Sequence, residues 1–192
     1  MKEGKHSLIG AIDQGTSSTR FMLFDSVTRN AICHHQIATT PLHPQKGWFE
    51  LDPVALLDDT RSCIEKACAK LAEYGYEMSD IKAVGVTNQR ETTIAWDCTT
   101  GTPLYNAIVW SDIRTEGLAK SICAQFPNEG KDHWKKVTGL PVNPYFSALK
   151  LRWLFDNVPA VNKAIVDKRC LCGEYSGIAF LQCTSSFWLV LY

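Results

Sequence analysis

Asp13, Gly15, Thr16, Ser17, Ser18 and Arg20 fall within eight residues, DQGTSSTR (13–20). Together they offer one carboxylate, a glycine that tolerates positive φ, hydroxyls beside free backbone amides, and one guanidinium. Those are the parts of a phosphate cradle. Asp13 is suited to a hydrated magnesium ion, which takes one or two carboxylates plus phosphate oxygens, while Thr16, Ser17, Ser18 and Arg20 would meet the phosphates. No lysine is present, and the chain after the loop keeps strand character, so this is not a Walker A loop. An ordinary Gly-Thr-Ser turn fits the same residues, and on composition that alternative stays open.

Two apolar runs, 8–12 and 21–24, flank the loop and predict a β-hairpin. Residues 31–39 predict a third strand, ended by the stretch from Pro41 to Pro44. A helix is expected from Pro53, with Asp52 as its N-cap. Its apolar stripe is Leu56, Leu57, Thr60, Ile64, Ala67, Cys68 and Leu71. Residues 81–86 read as a buried strand that delivers 87–92 at its carboxyl end, where ligands of β-α-β elements bind. Strands at 93–96 and 107–110 and helices over 111–126, 147–157 and 161–169 complete a mixed sheet with flanking helices.

The chain has 192 residues, 45% hydrophobic and 21% charged, with zero formal net charge. That length buries one core, or one domain and part of another. No basic run points to nucleic acid or to a membrane surface. No export signal is expected ahead of the first strand, so the eight cysteines read as thiols in a reducing compartment. Cys170-x-Cys172 is too short a spacing for the usual zinc knuckle. His34 and His35 lie side by side in a strand and face opposite ways, against a shared metal.

DQGTSSTR, followed by VGVTNQRETT (84–93), IVWSDIRT (108–115) and TGLPVNPYFSALKLRW (138–153), resembles the amino-terminal domain of the glycerol kinases. These belong to the FGGY family of carbohydrate kinases, with an actin-like ATPase, ribonuclease-H-like α/β fold. The resemblance implies a domain over 1–173, ATP and Mg2+ as cofactors, glycerol as substrate, and a cytoplasmic setting. A second copy or a full-length kinase subunit is the partner it suggests; nucleic acid and membrane are not.

Glycerol offers three hydroxyls, so a selective pocket must place a donor fork beside an acceptor. Arg90 and Glu91 supply that pair, although an adjacent Arg-Glu also fits a surface ion pair. The resemblance makes Arg90, Glu91 and Tyr145 the glycerol contacts and Trp110 the apolar wall. Tyr145 alone fits a half-buried core tyrosine equally well. Trp48 and Glu50 match the family's GWxExDP stretch, where an aromatic either pins a loop or touches substrate. TNQRETT favours a triol over a pentulose; another polyol or sugar is the alternative.

Family members are longer, and the general-base aspartate and the adenosine pocket are expected in their second domain. No catalytic base is assigned here. After Gly173 the likeness stops, and 174–192, EYSGIAFLQCTSSFWLVLY, reads as a divergent hydrophobic tail from another reading frame or a retained intron. That tail is short and interrupted for a membrane span. A non-catalytic isoform acting as a binding or regulatory subunit is therefore the rival reading.

Overall fold

The computed structural model describes residues 6–177. Its strands are β1 (Leu8–Gln14), β2 (Ser18–Asp25), β3 (Ala31–Ala38), β4 (Glu50–Leu51), β5 (Ile81–Asn88), β6 (Ile94–Asp97), β7 (Ala107–Ile108) and β8 (Cys170–Gly173). Its helices are α1 (Pro53–Cys68), α2 (Glu116–Ala124), α3 (Lys135–Thr138), α4 (Ser147–Asn157) and α5 (Pro159–Val166). They fall into two compact units. Of the described residues, the first holds 6–40, Pro53–Gln89 and 175–177; the second holds Pro41–Asp52 and Arg90–Glu174.

The first unit is a four-stranded sheet in the order β3-β2-β1-β5. β1 and β2 form the expected hairpin, β3 extends it antiparallel, and β5 joins β1 in parallel. Alternation decides which side chains go in: Leu8 and Ile12 of β1, Phe21 and Leu23 of β2 and Cys33 of β3 are buried. Cys63, Ala67 and Leu71 close this core from α1 and the turn after it. Gly10 keeps the layer thin, since a Cβ there would sit 2.7 Å from the Phe21 ring.

Two expectations are corrected in this unit. β5 is only half-buried along most of its length, because it is the edge strand of the sheet among the described residues and has a strand neighbour on one side. The apolar stripe of α1 also stops short, with Leu71 lying in a separate 3-10 turn, Leu71–Tyr74. The turn after β2 is fastened by Asp25, whose Oδ1 accepts from the amides of Val27 (2.9 Å) and Thr28 (2.8 Å). Those amide donors, with His6 beside them, hold the Asp25 carboxyl well below the usual carboxylate range.

The second unit has less regular structure. β4 pairs with β7 and β6 with β8, each antiparallel and two-stranded. The strands expected at 93–96 and 107–110 therefore stay outside the four-stranded sheet. Ala95, Ile108, Leu154, Val158 and Val161 form its core, with Trp153 and Phe155 packed against them. α4 has the predicted bounds, and its Leu149 and Leu154 are buried. α5 begins two residues earlier than expected because Pro159 fits the first helical position, where an amide hydrogen is not needed. Residues 111–115 form turns instead of opening a helix: the Asp112 carboxylate accepts from the Arg114 amide (2.8 Å), and α2 starts only at Glu116.

Among the described residues no helix is long and apolar enough to cross a membrane. Residues 178–192 of the hydrophobic tail lie outside the described residues.

Candidate functional site

In the first unit the phosphate-cradle residues are drawn together by the β1–β2 hairpin, whose loop is shorter than the sequence suggested. Asp13 ends in β1, Ser18 and Arg20 lie in β2, and only residues 15–17 connect them. The Gly15 amide donates to the Ser18 carbonyl (2.9 Å), so it belongs to the turn and is not free. Gly15 does not adopt positive φ. Glycine suits the position for another reason: an added Cβ would lie 3.3 Å from the Ser18 carbonyl oxygen. Thr39 steadies the loop from β3's end, its hydroxyl donating to the Thr16 carbonyl (2.6 Å) and its amide to the Ser17 carbonyl (3.1 Å).

Asp13 and Arg20 are directly opposite in the β1–β2 register. Arg20 Nε lies 3.5 Å from Asp13 Oδ2, with the Asp13 side chain 43% exposed, and Arg20 Nη2 donates to Ser18 Oγ (3.3 Å). The carboxylate is loosely paired and open to solvent. A hard oxygen donor of this kind beside hydroxyls fits magnesium, which keeps much of its water and needs few protein ligands. Ser17 is exposed, Thr16 half-exposed and Ser18 buried.

Gln14 and Gln89 were not singled out in the sequence. Gln14 is fully buried, and its Oε1 accepts from Gln89 Nε2 (3.1 Å), while the Gln89 amide donates to the Gln14 carbonyl (2.8 Å). Gln89 Nε2 also reaches the Gly15 carbonyl (3.3 Å). This glutamine pair ties the hairpin loop to the end of β5, one residue before Arg90.

In the second unit Arg90 is exposed, and Glu91 takes a positive φ of 65°, uncommon for a residue with a side chain. The conformation is held at both ends of the residue. Its amide donates to Glu174 Oε1 (2.6 Å), and its Oε2 accepts from the Ser147 amide (2.6 Å) and hydroxyl (2.7 Å). The carboxylate thus sits at the N-terminus of α4, where the helix dipole favours an anion. Trp110 and Tyr145 meet edge to face with centroids 6.1 Å apart. Both line a hollow of about 580 Å³ with Ile113, Leu140 and Phe146. Glu91 lines a second hollow of about 460 Å³ that shares Leu140, Asn143 and Phe146 with the first.

Two buried cations support these residues, and neither was assigned a role from sequence. Arg114, 1% exposed, forks onto Asp112 (Nε to Oδ1 2.9 Å, Nη2 to Oδ2 2.8 Å) and reaches Glu50 Oε1 (2.8 Å). Its guanidinium lies 3.8 Å from the Trp48 ring centroid and 4.7 Å from that of Trp153. Trp48 and Glu50 are therefore engaged in packing this cation, and Trp48 pins its loop. Lys150 is fully buried and donates to the Tyr145 carbonyl. Arg114 stood in the quoted IVWSDIRT and Lys150 in SALKLRW; the usable signal was a charge at a helix or turn position that the apolar pattern places inward.

With that geometry described, similarity to other proteins places the chain. Residues 8–176 match the FGGY family of carbohydrate kinases, N-terminal domain, and the chain belongs to that family. It is 51% identical over 166 residues to a probable glycerol kinase of Caenorhabditis elegans, covering 86% of this chain and 33% of that protein. It is 44% identical over 165 residues to the glycerol kinase of Arabidopsis thaliana, covering 84% and 31%. Among solved structures, the Plasmodium falciparum glycerol kinase with ADP superposes with a TM-score of 0.85 at 33% identity, over 96% of this chain and 36% of that one. The expected actin-like α/β fold is the one found. The chain spans about a third of the length of these relatives.

Proposed function

We propose that this chain is the amino-terminal part of an ATP-dependent glycerol kinase, carrying its glycerol contacts and half of its phosphate site over residues 1–173. The observation that carries the reading is the second unit's arrangement: Trp110 and Tyr145 wall one hollow, and Glu91, next to Arg90, lines the adjoining one. An aromatic wall suits a carbon backbone, and a carboxylate beside a guanidinium suits vicinal hydroxyls. Glycerol kinase relatives at 44% and 51% identity support glycerol over another polyol.

The reaction proposed is in-line transfer of the γ-phosphoryl group of ATP to a terminal hydroxyl of glycerol, giving glycerol 3-phosphate. Such transfer depends on positioning and charge neutralisation. Asp13 would hold Mg2+, which neutralises phosphate charge when bound. Thr16, Ser17 and Ser18 would hydrogen-bond the phosphates, with Gly15 keeping the turn narrow and Arg20 adding positive charge. In the second unit Arg90, Glu91 and Tyr145 would orient the triol and Trp110 would cover its carbon face.

No residue here is assigned as general base. On this reading the isolated 192 residues bind without turnover; a non-catalytic isoform acting as a binding or regulatory subunit is the rival reading. A cytoplasmic setting belongs to the same proposal. Glycerol-dependent ADP release by the purified chain, with Asp13→Ala as control and a full-length relative as reference, tests it. The expected result is an active reference and no turnover by the isolated chain. Turnover by the isolated chain that Asp13→Ala abolishes would overturn that expectation.

A further inference from the structure

Lys150 is an unusual residue to find with no exposed surface, because an ammonium ion is costly to remove from water without a close anionic partner. Its Nζ donates to the Tyr145 carbonyl and lies 5.8 Å from the centroid of the Tyr145 ring. The anions that act on it come from two turns, Glu91 after β5 and Asp112 after β7. Glu174 joins the cluster through the Glu91 amide (2.6 Å). Arg114, the other cation of this region, is already committed to Asp112 and Glu50. The ammonium thus touches one of the proposed glycerol contacts, Tyr145, and feels the charge of a second, Glu91, without pairing with it.

We infer that Lys150 is a positioning residue for polyol binding: its ammonium fixes the backbone at Tyr145, so that the phenol is presented to the hollow adjoining the one Glu91 lines. This rests on the glycerol reading above. A residue that served only to fill the core would be better as methionine, which has similar length and no charge to desolvate. Burial pushes the Lys150 ammonium down to about 8, although Glu91 and Asp112 pull the other way.

Two consequences then move in opposite directions with pH. The folded value lies below the ordinary lysine value of roughly 10.4, so stability rises as pH increases from about 8 towards that value and the buried charge is relieved. Glycerol affinity should fall over the same interval, because the positioning charge is lost.

The test measures glycerol binding to the 192-residue chain by calorimetry between pH 6.5 and 9.5, for the wild type and Lys150→Met, alongside thermal unfolding. The tyrosine ring and residues 140–150 are followed by NMR in the same buffers. The expected result is an affinity lower by about tenfold in Lys150→Met at pH 7, the scale of a lost charged hydrogen bond. Its melting temperature should be equal or higher, and only the wild type should show the fall in affinity with a midpoint near pH 8. Equal affinity in the two proteins, or a wild-type profile flat through pH 8, would overturn the inference. Should the variant not fold, the wild-type profile decides alone. If the folded wild type does not bind glycerol, the glycerol reading fails. Lys150 is then judged by the Tyr145 signals, which must titrate near pH 8 in the wild type and not in the variant.

Discussion

The two units build their candidate sites in opposite ways. In the first, a regular hairpin brings Asp13, Ser18 and Arg20 together within one contiguous motif, and backbone hydrogen bonds in the sheet hold them. In the second, Glu91, Trp110 and Tyr145 come from three separate turns. Side chains hold those turns: Arg114 clamps Asp112 and Glu50, Glu91 caps α4, and Lys150 pins the Tyr145 carbonyl. A site made by the sheet ladder should survive loss of single side chains, and a site held by buried ions should not.

The most severe test of that contrast is Arg114→Ala. It leaves the Asp112 and Glu50 carboxylates buried without their cation and removes the guanidinium packed against the rings of Trp48 and Trp153. A loss of about 3–5 kcal/mol is expected, measured by urea unfolding. In the first unit, Gly10→Ala forces a Cβ to within 2.7 Å of the Phe21 ring. Overpacking of this kind costs about 1–3 kcal/mol, and the proposed phosphate contacts should be retained as long as the hairpin stays folded. Arg114→Ala proving milder than Gly10→Ala would break the comparison.

Asp25 sharpens the comparison from the acid side. Its folded value is depressed, so its contribution is present above the ordinary aspartate value of roughly 3.9 and is lost as pH falls below it. Asp25→Asn should flatten the acid limb of the stability profile, followed by thermal unfolding between pH 2.5 and 6. The smallest effect is expected at Arg61, whose contact with Asp58 (3.1 Å) is exposed on both sides. Arg61→Ala should change stability by less than about 1 kcal/mol in the same unfolding assay.

The same contrast explains what could be read from the sequence. Period-two runs made β1, β2 and β3 visible, and the loop motif between β1 and β2 named the cradle residues. The 147–157 helix was legible because Leu149, Trp153 and Leu154 mark one apolar face, with Leu149 and Leu154 buried and Trp153 packed against the core. Residues 111–115 were not, because the Asp112 carboxylate captures the amides of Arg114 and Phe49 and competes with helix formation. Glu91's grip on Ser147 spans 56 positions, and the stripe of α4 that carries Lys150 inward does not say which group its ammonium meets. Gln14 and Gln89 are joined across 75 positions; neither stood out because glutamine carries no charge and fits many surfaces.

The central claim is that the second unit holds glycerol through Arg90, Glu91, Trp110 and Tyr145. Calorimetric titration of glycerol into the folded 192-residue chain, repeated with Arg90→Ala, tests it most directly. The account predicts saturable binding by the wild type and a loss of about tenfold or more in the variant, as for a charged hydrogen-bond donor removed from a polar ligand. A folded wild-type chain that shows no saturable binding, or equal binding by Arg90→Ala, would contradict it.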